Sequence, residues 1–316
     1  MKLFERTISD WRLRTRTLEL GRRTLVMGVV NITPDSFSDG GLFLSPEAAV
    51  AHALQLLDEG ADILDLGAES TRPGSRAGGA AGSEFAPAVS TEEEQARLLP
   101  VIEGILVARP EEIVSVDTYK AATARAALAA GAEIVNDVSG LRWDPEMGAA
   151  CADSGCGVVL MHTRGRPEEW HEQPQLAPDE LLATVRSGLA ESLAAAAQAG
   201  IAMESIVLDP GYGFGKRLDE NYALLARQAE LLSLGRPLLA GLSRKSFLGR
   251  TLAPLHAGTT PNADSVPFAP VKAREAASIA ALVAAILYGA SIVRVHAVRP
   301  AVEAALIVDA VLENRP

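Results

Sequence analysis

The chain has 316 residues, 48% of them hydrophobic and 22% charged, with a formal net charge of −11. The composition is that of an ordinary globular protein, and the acidic balance argues against general nucleic-acid binding, which depends on basic surface. No run of about 18 uncharged apolar residues is bounded like a membrane span, and the opening MKLFERTISDWR lacks an apolar signal core. No nucleic acid, membrane partner or export is therefore expected.

Residues 7–20, TISDWRLRTRTLEL, read as a small hairpin placed to plug the mouth of whatever follows. Eight apolar runs come next: TLVMGVV (24–30), DILDLGA (62–68), EIVSVD (112–117), EIVNDV (133–138), GVVLMH (157–162), SIVLDP (205–210), PLLAGLS (237–243) and SIVRVH (291–296). They are nearly continuous rather than alternating, as strands covered on both faces should be. Helical patterns separate them at 45–59, 90–108, 119–130, 178–199, 271–289 and 299–313. STEEEQ at 90–95 offers a Ser or Thr N-cap followed by acids, which suits the positive end of a helix. Helices stop at Gly in DEGAD, AAGAE, QAGIA and YGASI, where a left-handed cap turns the chain toward the next strand.

Eight β-then-α units in one chain point to a (β/α)₈ barrel of the TIM type, a single domain over 1–316 with the barrel at 24–313. The alternative is a doubly wound open sheet, but no G-x-G-x-x-G follows the first strand. Cys151 and Cys156 are too few for a disulfide framework, and no further zinc ligands lie near them. Two buried thiols in a reducing cytoplasm are expected.

IVSVDTYKAATARAALAAGAEIVNDVSG (113–140) poses a physical problem. A buried run ends in Asp117 and the next carries Asn136 inside it. An unpartnered buried charge costs several kcal/mol, on the order of the effective penalty in real proteins. A barrel gives the problem a geometry, because catalytic side chains come from the C-terminal ends of its strands. The polar residues at or just past those ends are Asn31, Glu69 to Arg72, Asp117, Asn136, His162 beside Met161, Asp209, Ser243 to Lys245, Arg294 and His296. Every strand contributes, and closure would gather them at one face.

Several of these segments resemble the dihydropteroate synthases of the folate pathway. The resemblance rests on GVVNITPDSFSDGG (28–41), ILDLGAESTRPGS (63–75), SVDTYK (115–120), IVNDVSG (134–140), VLDPGYGFGK (207–216), GLSRKSFLG (241–249) and IVRVH (292–296), in order from residue 24 to the C-terminus. It implies condensation of (7,8-dihydropterin-6-yl)methyl diphosphate with 4-aminobenzoate to 7,8-dihydropteroate, with release of diphosphate. It implies a pterin pocket of Asp117, Asn136 and Asp209, with Lys245 reaching the ring carbonyl or N5. Met161 would be a soft wall, and Arg294 would lie on the pterin face. Thr71, Arg72, Asn31, Arg294 and His296 would surround the diphosphate. Mg²⁺ would sit on Asn31, with Asp35 a second candidate on the same loop; the ion takes few protein ligands and keeps most of its waters. The 4-aminobenzoate would meet Ser243, Phe214, Pro73 and Arg72, with backbone donors at the helix start after SRKS holding its carboxylate. Asp117, Lys245 and Arg294 are the residues implied for catalysis. The reaction would be dissociative, without a side-chain nucleophile, and GLSRKS is not G-x-S-x-G. The resemblance also implies a sulfonamide target and a homodimer, packed through helices 271–289 and 299–313.

The chain departs from the family pattern at several points. The loop after STRPG is longer, Arg250 to Pro270 is long and proline-rich, and REAASIAA (274–281) replaces a more usual Gly-Ser or Gly-Thr helix start. Ala297 and Thr163 stand where aspartate and methionine are common. The longer loop after STRPG bears on sulfonamide sensitivity, and Ala297 on a supporting hydrogen bond. Two rivals share the barrel: a pterin-binding methyltransferase module of a corrinoid system, which should lack STRPGS and SRKS, and a non-catalytic paralogue, which should have lost Asn31, Arg72, Lys245 or Arg294. All these features are present.

Overall fold

The computed structural model describes residues 6–33, 45–69, 89–256 and 268–314. The hairpin is formed by β1 (Ser9–Arg12) and β2 (Thr17–Leu20), antiparallel with Ser9 opposite Leu20 and Trp11 opposite Leu18. Eight parallel strands then close a ring: β3 (Leu25–Asn31), β4 (Ile63–Gly67), β5 (Val114–Asp117), β6 (Ile134–Asp137), β7 (Gly157–Met161), β8 (Ile206–Asp209), β9 (Leu238–Ala240) and β10 (Ala290–Val295), with β10 returning to β3. The expected barrel and hairpin are both present. An open doubly wound sheet is excluded by the pairing of Ile292 with Leu25.

The surrounding helices are α1 (Pro46–Asp58), α2 (Thr91–Ala108), α3 (Ala121–Ala129), α4 (Met147–Ser154), α5 (Pro178–Ala199), α6 (Glu220–Ala226), α7 (Ser246–His256), α8 (Glu275–Leu287) and α9 (Val298–Glu313). On α2, Leu98, Val101, Ile102 and Ile105 are buried, the three-and-four spacing of one helix face. Ser90 caps α2 and accepts the Glu93 N–H at 3.1 Å. Gly60, Gly131, Gly200 and Gly289 follow their helices with positive φ, as the glycine stops required. No helix among the described residues is long and apolar enough to cross a membrane. Cys151 and Cys156 are free and buried.

There are two apolar layers. The larger lies between strands and helices. The smaller fills the barrel: Leu25, Met27, Ile63, Ile113, Ile134, Val159, Val207, Leu239 and Ile292 meet Trp11, Leu13 and Leu20 from the hairpin. Trp11 is fully buried and its Nε1 donates to the Ser205 carbonyl at 2.9 Å. Gly157 permits this docking, because a β-carbon there would run into Leu13. The hairpin therefore closes the N-terminal end of the barrel, and the interior opens toward the C-terminal ends of the strands.

Candidate active site

Alternation along each strand explains what lines the open end. Side chains two residues apart share a face. Starting from the apolar layer, Ile63 is followed inward by Asp65, Ile113 by Ser115 and Asp117, Ile134 by Asn136, Val159 by Met161, Val207 by Asp209, and Ile292 by Arg294 and then His296. A polar layer thus sits directly above the apolar one. Five of its members are almost fully buried: Asp65 and Ser115 at 0% exposure, Met161 at 4%, Asp209 at 5% and Asn136 at 7%.

Arg294 organises one half of this layer. Its Nε donates to Asp65 Oδ2 at 2.6 Å and its Nη2 to Asp117 Oδ2 at 2.7 Å. Asp65 also accepts from Ser115 Oγ at 2.6 Å and from Asn136 Nδ2 at 3.0 Å. The acid that ends the buried run at 117 is thus compensated inside the protein, by a cation from β10 rather than by a ligand alone. Burial still dominates at Asp117 and raises its pKa to about 7, against the pull of Arg294 and with help from the neighbouring Asp65 charge. Burial opposes the Arg294 charge too, but Asp65 and Asp117 overcome it and hold the guanidinium above its ordinary pKa. The pair is stiff: removing one member of such a buried, hydrogen-bonded pair typically costs about 3–5 kcal/mol.

The other half is built by the turn after β8. Gly211 has φ 70°, and a β-carbon on it would collide with the His162 carbonyl. Its N–H donates to Asp209 Oδ1 at 2.7 Å. Burial raises the Asp209 pKa, opposed by that backbone bond and by the charge of Lys245. The buried Lys216 ammonium ties the turn together through the carbonyls of Gly211 at 2.7 Å, His162 at 3.1 Å and Phe214 at 3.2 Å. This fixes Phe214, which lies under the Lys245 ammonium with Nζ 3.9 Å from the ring centroid. Phe214 and Trp143 pack against Met161, Tyr119 and Val138. A β-carbon on Gly241 would lie 3.8 Å from Asp209 Oδ2 and 3.9 Å from Arg294 Cβ. The two halves therefore meet over Gly241, with its small volume left open between an acid and a cation.

At the rim, Ser243 Oγ and His296 Nδ1 are 3.0 Å apart. Asn31 ends β3 in register with Gly67. Asn31, Asp117, Asn136, Met161, Asp209, Phe214, Ser243, Lys245, Arg294 and His296 all lie at or just past strand ends, on the open side. Asp35, Thr71, Arg72 and Pro73 lie outside the described residues. Among the described residues, no group of three or more His, Cys, Asp or Glu is disposed to hold a metal ion. Asn31, with one neutral amide oxygen at the rim, fits a cation whose remaining ligands are substrate oxygens and water.

Asp65, Ser115 and Lys216 were not singled out in the sequence. The alternation rule finds the first two, since Asp65 follows Ile63 and Ser115 follows Ile113 by two places. Lys216 carries no such signal, because its role depends on the path of the turn.

The sequence profile of the pterin binding enzyme family matches residues 27–296. Dihydropteroate synthase of Escherichia coli K12 is 43% identical over 92% of this chain and 92% of its own length. The chain belongs to the dihydropteroate synthase family of pterin binding enzymes. Among solved structures, Xanthomonas albilineans dihydropteroate synthase with 4-aminobenzoic acid has a TM-score of 0.81 at 41% identity, covering 98% of this chain and 100% of that one. The Clostridium difficile dihydropteroate synthase, solved in the presence of pteroic acid, has a TM-score of 0.78 at 38% identity, covering 93% and 98%. The match extends over the whole barrel, so the strand ends that carry the site fall within it.

Proposed function

We propose that the protein condenses (7,8-dihydropterin-6-yl)methyl diphosphate with 4-aminobenzoate, giving 7,8-dihydropteroate and diphosphate. One observation carries the reading: Arg294 bridges Asp65 and Asp117 beside Asn136 and across Gly241 from Asp209. Fixed carboxylates and an amide match the donor-and-acceptor edge of a pterin, and each hydrogen bond to a charged group contributes about 1.5–3 kcal/mol. Lys245, set over Phe214, would meet the ring carbonyl or N5. Met161 supplies the apolar wall. The names of the relatives support the reading, as does the 4-aminobenzoic acid held by the Xanthomonas enzyme.

In the reaction, the bond between the methylene carbon and the diphosphate oxygen breaks, and its electron pair leaves with diphosphate. The remaining cation is delocalised over the pterin, and Asp117 steadies it by proximity. The amine of 4-aminobenzoate attacks the methylene carbon and then loses a proton. No protein nucleophile is required. His296 and Arg294 would flank the departing anion, and the family resemblance adds Thr71 and Arg72 to that side; one such preorganised donor typically contributes about 10²–10³ in kcat. Asn31 would hold a Mg²⁺ on the protein side, and the ion would supply positive charge to the leaving diphosphate. Ser243 and Phe214 would receive the aminobenzoate, and the family resemblance adds Pro73.

The decisive experiment mixes purified protein with the pterin diphosphate, 4-aminobenzoate and Mg²⁺ and follows diphosphate release. Turnover that stops on chelation and returns with Mg²⁺ is expected. Retained pterin binding without turnover would favour a methyltransferase module or a non-catalytic paralogue. The same proposal includes a cytoplasmic enzyme, to be checked by fractionation, and a homodimer. Leu306, Ile307 and Val311 on α9 support the dimer, because they are 61%, 70% and 56% exposed on the outer face of that helix. Sedimentation should give the dimer mass for the wild type and the monomer mass for Ile307→Glu.

A further inference from the structure

β9 stops at Ala240, and the chain enters a turn in which the Lys245 N–H reaches the Leu242 carbonyl at 3.4 Å. The third residue of that turn is Arg244, with φ 59°. Left-handed backbone at that turn position ordinarily calls for glycine. A non-glycine residue persists there when its surroundings over-determine it. The two residues flanking Arg244 are Ser243 and Lys245, both part of the site described above, so its conformation sets the backbone from which each extends; the Ser243 hydroxyl is also tied to His296, accepting from its N–H at 3.3 Å and lying 3.0 Å from its Nδ1.

Both peptide groups of Arg244 are held from the start of α8. Its N–H donates to Ser278 Oγ at 2.9 Å, and its carbonyl accepts from Arg274 Nη1 at 3.0 Å. The Ser278 hydroxyl in turn donates to the Arg274 carbonyl at 2.7 Å. Arg274 is itself fixed, with Nε donating to the Ala269 carbonyl at 2.9 Å and its guanidinium packed against Gly249 of α7. Ser243, Arg244 and Ser278 share a small cleft with Val295 and Ala297, of about 10 Å³, so the clamp abuts the end of β10 that carries His296.

We propose that Ser278, with Arg274, is a positioning residue for the second substrate. It holds the strained Arg244 peptide so that Ser243 faces the carboxylate of an aromatic amino acid. Lys245 has an independent support in Phe214, so the pterin side is less affected. The inference rests on the proposed condensation and deepens it.

The test is steady-state kinetics of Ser278→Ala and Ser278→Thr against the wild type, with thermal unfolding of each. Ser278→Ala leaves the Arg244 N–H without its acceptor. KM for 4-aminobenzoate should rise about fivefold, the equivalent of one ordinary hydrogen bond, with kcat and the KM for the pterin diphosphate within about twofold. Ser278→Thr keeps the hydroxyl and should restore KM. An unchanged KM for 4-aminobenzoate in Ser278→Ala would overturn the proposal. So would parallel losses in kcat and both KM values that track the melting temperature, since those mark a structural role alone. If the wild type itself releases no diphosphate, the proposed reaction fails rather than the clamp. Arg274→Met supplies a second reading of the clamp, with the same selective rise expected.

Discussion

At Asp117, burial and Arg294 pull in opposite directions, and burial prevails by enough to place its pKa at about 7, far above the ordinary carboxylate value of 3.8. A carboxyl whose pKa rises on folding favours the folded state while protonated. That contribution is complete below the unfolded value and is lost as pH climbs from about 4 through 7. Carboxyl carbon resonances of the unliganded protein should therefore include one aspartate with a midpoint near 7, absent in Asp117→Asn. In Arg294→Met the midpoint should move upward, because the cation favours the ionised form. A midpoint near 4 in the wild type would contradict the arrangement. The stability of the wild type relative to Asp117→Asn should fall across the same pH interval. Legibility at this scale followed solvent and phase. Asp117, Asn136, Asp209 and Arg294 were visible as polar residues where a strand should be apolar. Asp65 obeys the same rule, but it sits in mid-strand, where no strand end marks it. The Arg294 bridge to Asp65 and Asp117 could not be read, since it joins positions 229 and 177 residues apart.

Among elements, the hairpin bears weight out of proportion to its length. Two four-residue strands are marginal by themselves, and β1 and β2 persist because Trp11 and Leu20 are fully buried in the barrel. Trp11→Ala removes the largest of these side chains and leaves the Ser205 carbonyl without its donor. A loss of about 3–5 kcal/mol is expected from denaturant unfolding, with the site residues unchanged in identity. A loss below about 1 kcal/mol would mean that the hairpin is not integral to the core. The eight strands and the longer helices were legible because continuous apolar runs and three-and-four spacing persist over many residues. The short α4, α6 and α7 were not, since Met147–Ser154 and Glu220–Ala226 offer barely two turns of pattern and Pro254 interrupts the third. The start of the 271–289 segment also differs: residues Val271–Arg274 form a 3₁₀ turn, and the α-helix begins at Glu275. The turn exists where Arg274 swings back to its neighbours, a tertiary cause that local periodicity does not carry.

For the molecule as a whole, the charge of −11 and the cations of the site are compatible because they act over different distances. Exposed charges are screened beyond about 8 Å, whereas Arg294 and Lys245 act on neighbours in contact. The global balance therefore argues against nucleic-acid partners without excluding an anionic substrate. The hairpin has one further consequence for traffic. By sealing the floor, it leaves the barrel, among the described residues, a well that opens at the strand ends. Whatever occupies the level of Asn136 and Asp209 has to pass the level of Ser243 and His296 first, and a guest seated at the rim bars the way out for anything beneath it.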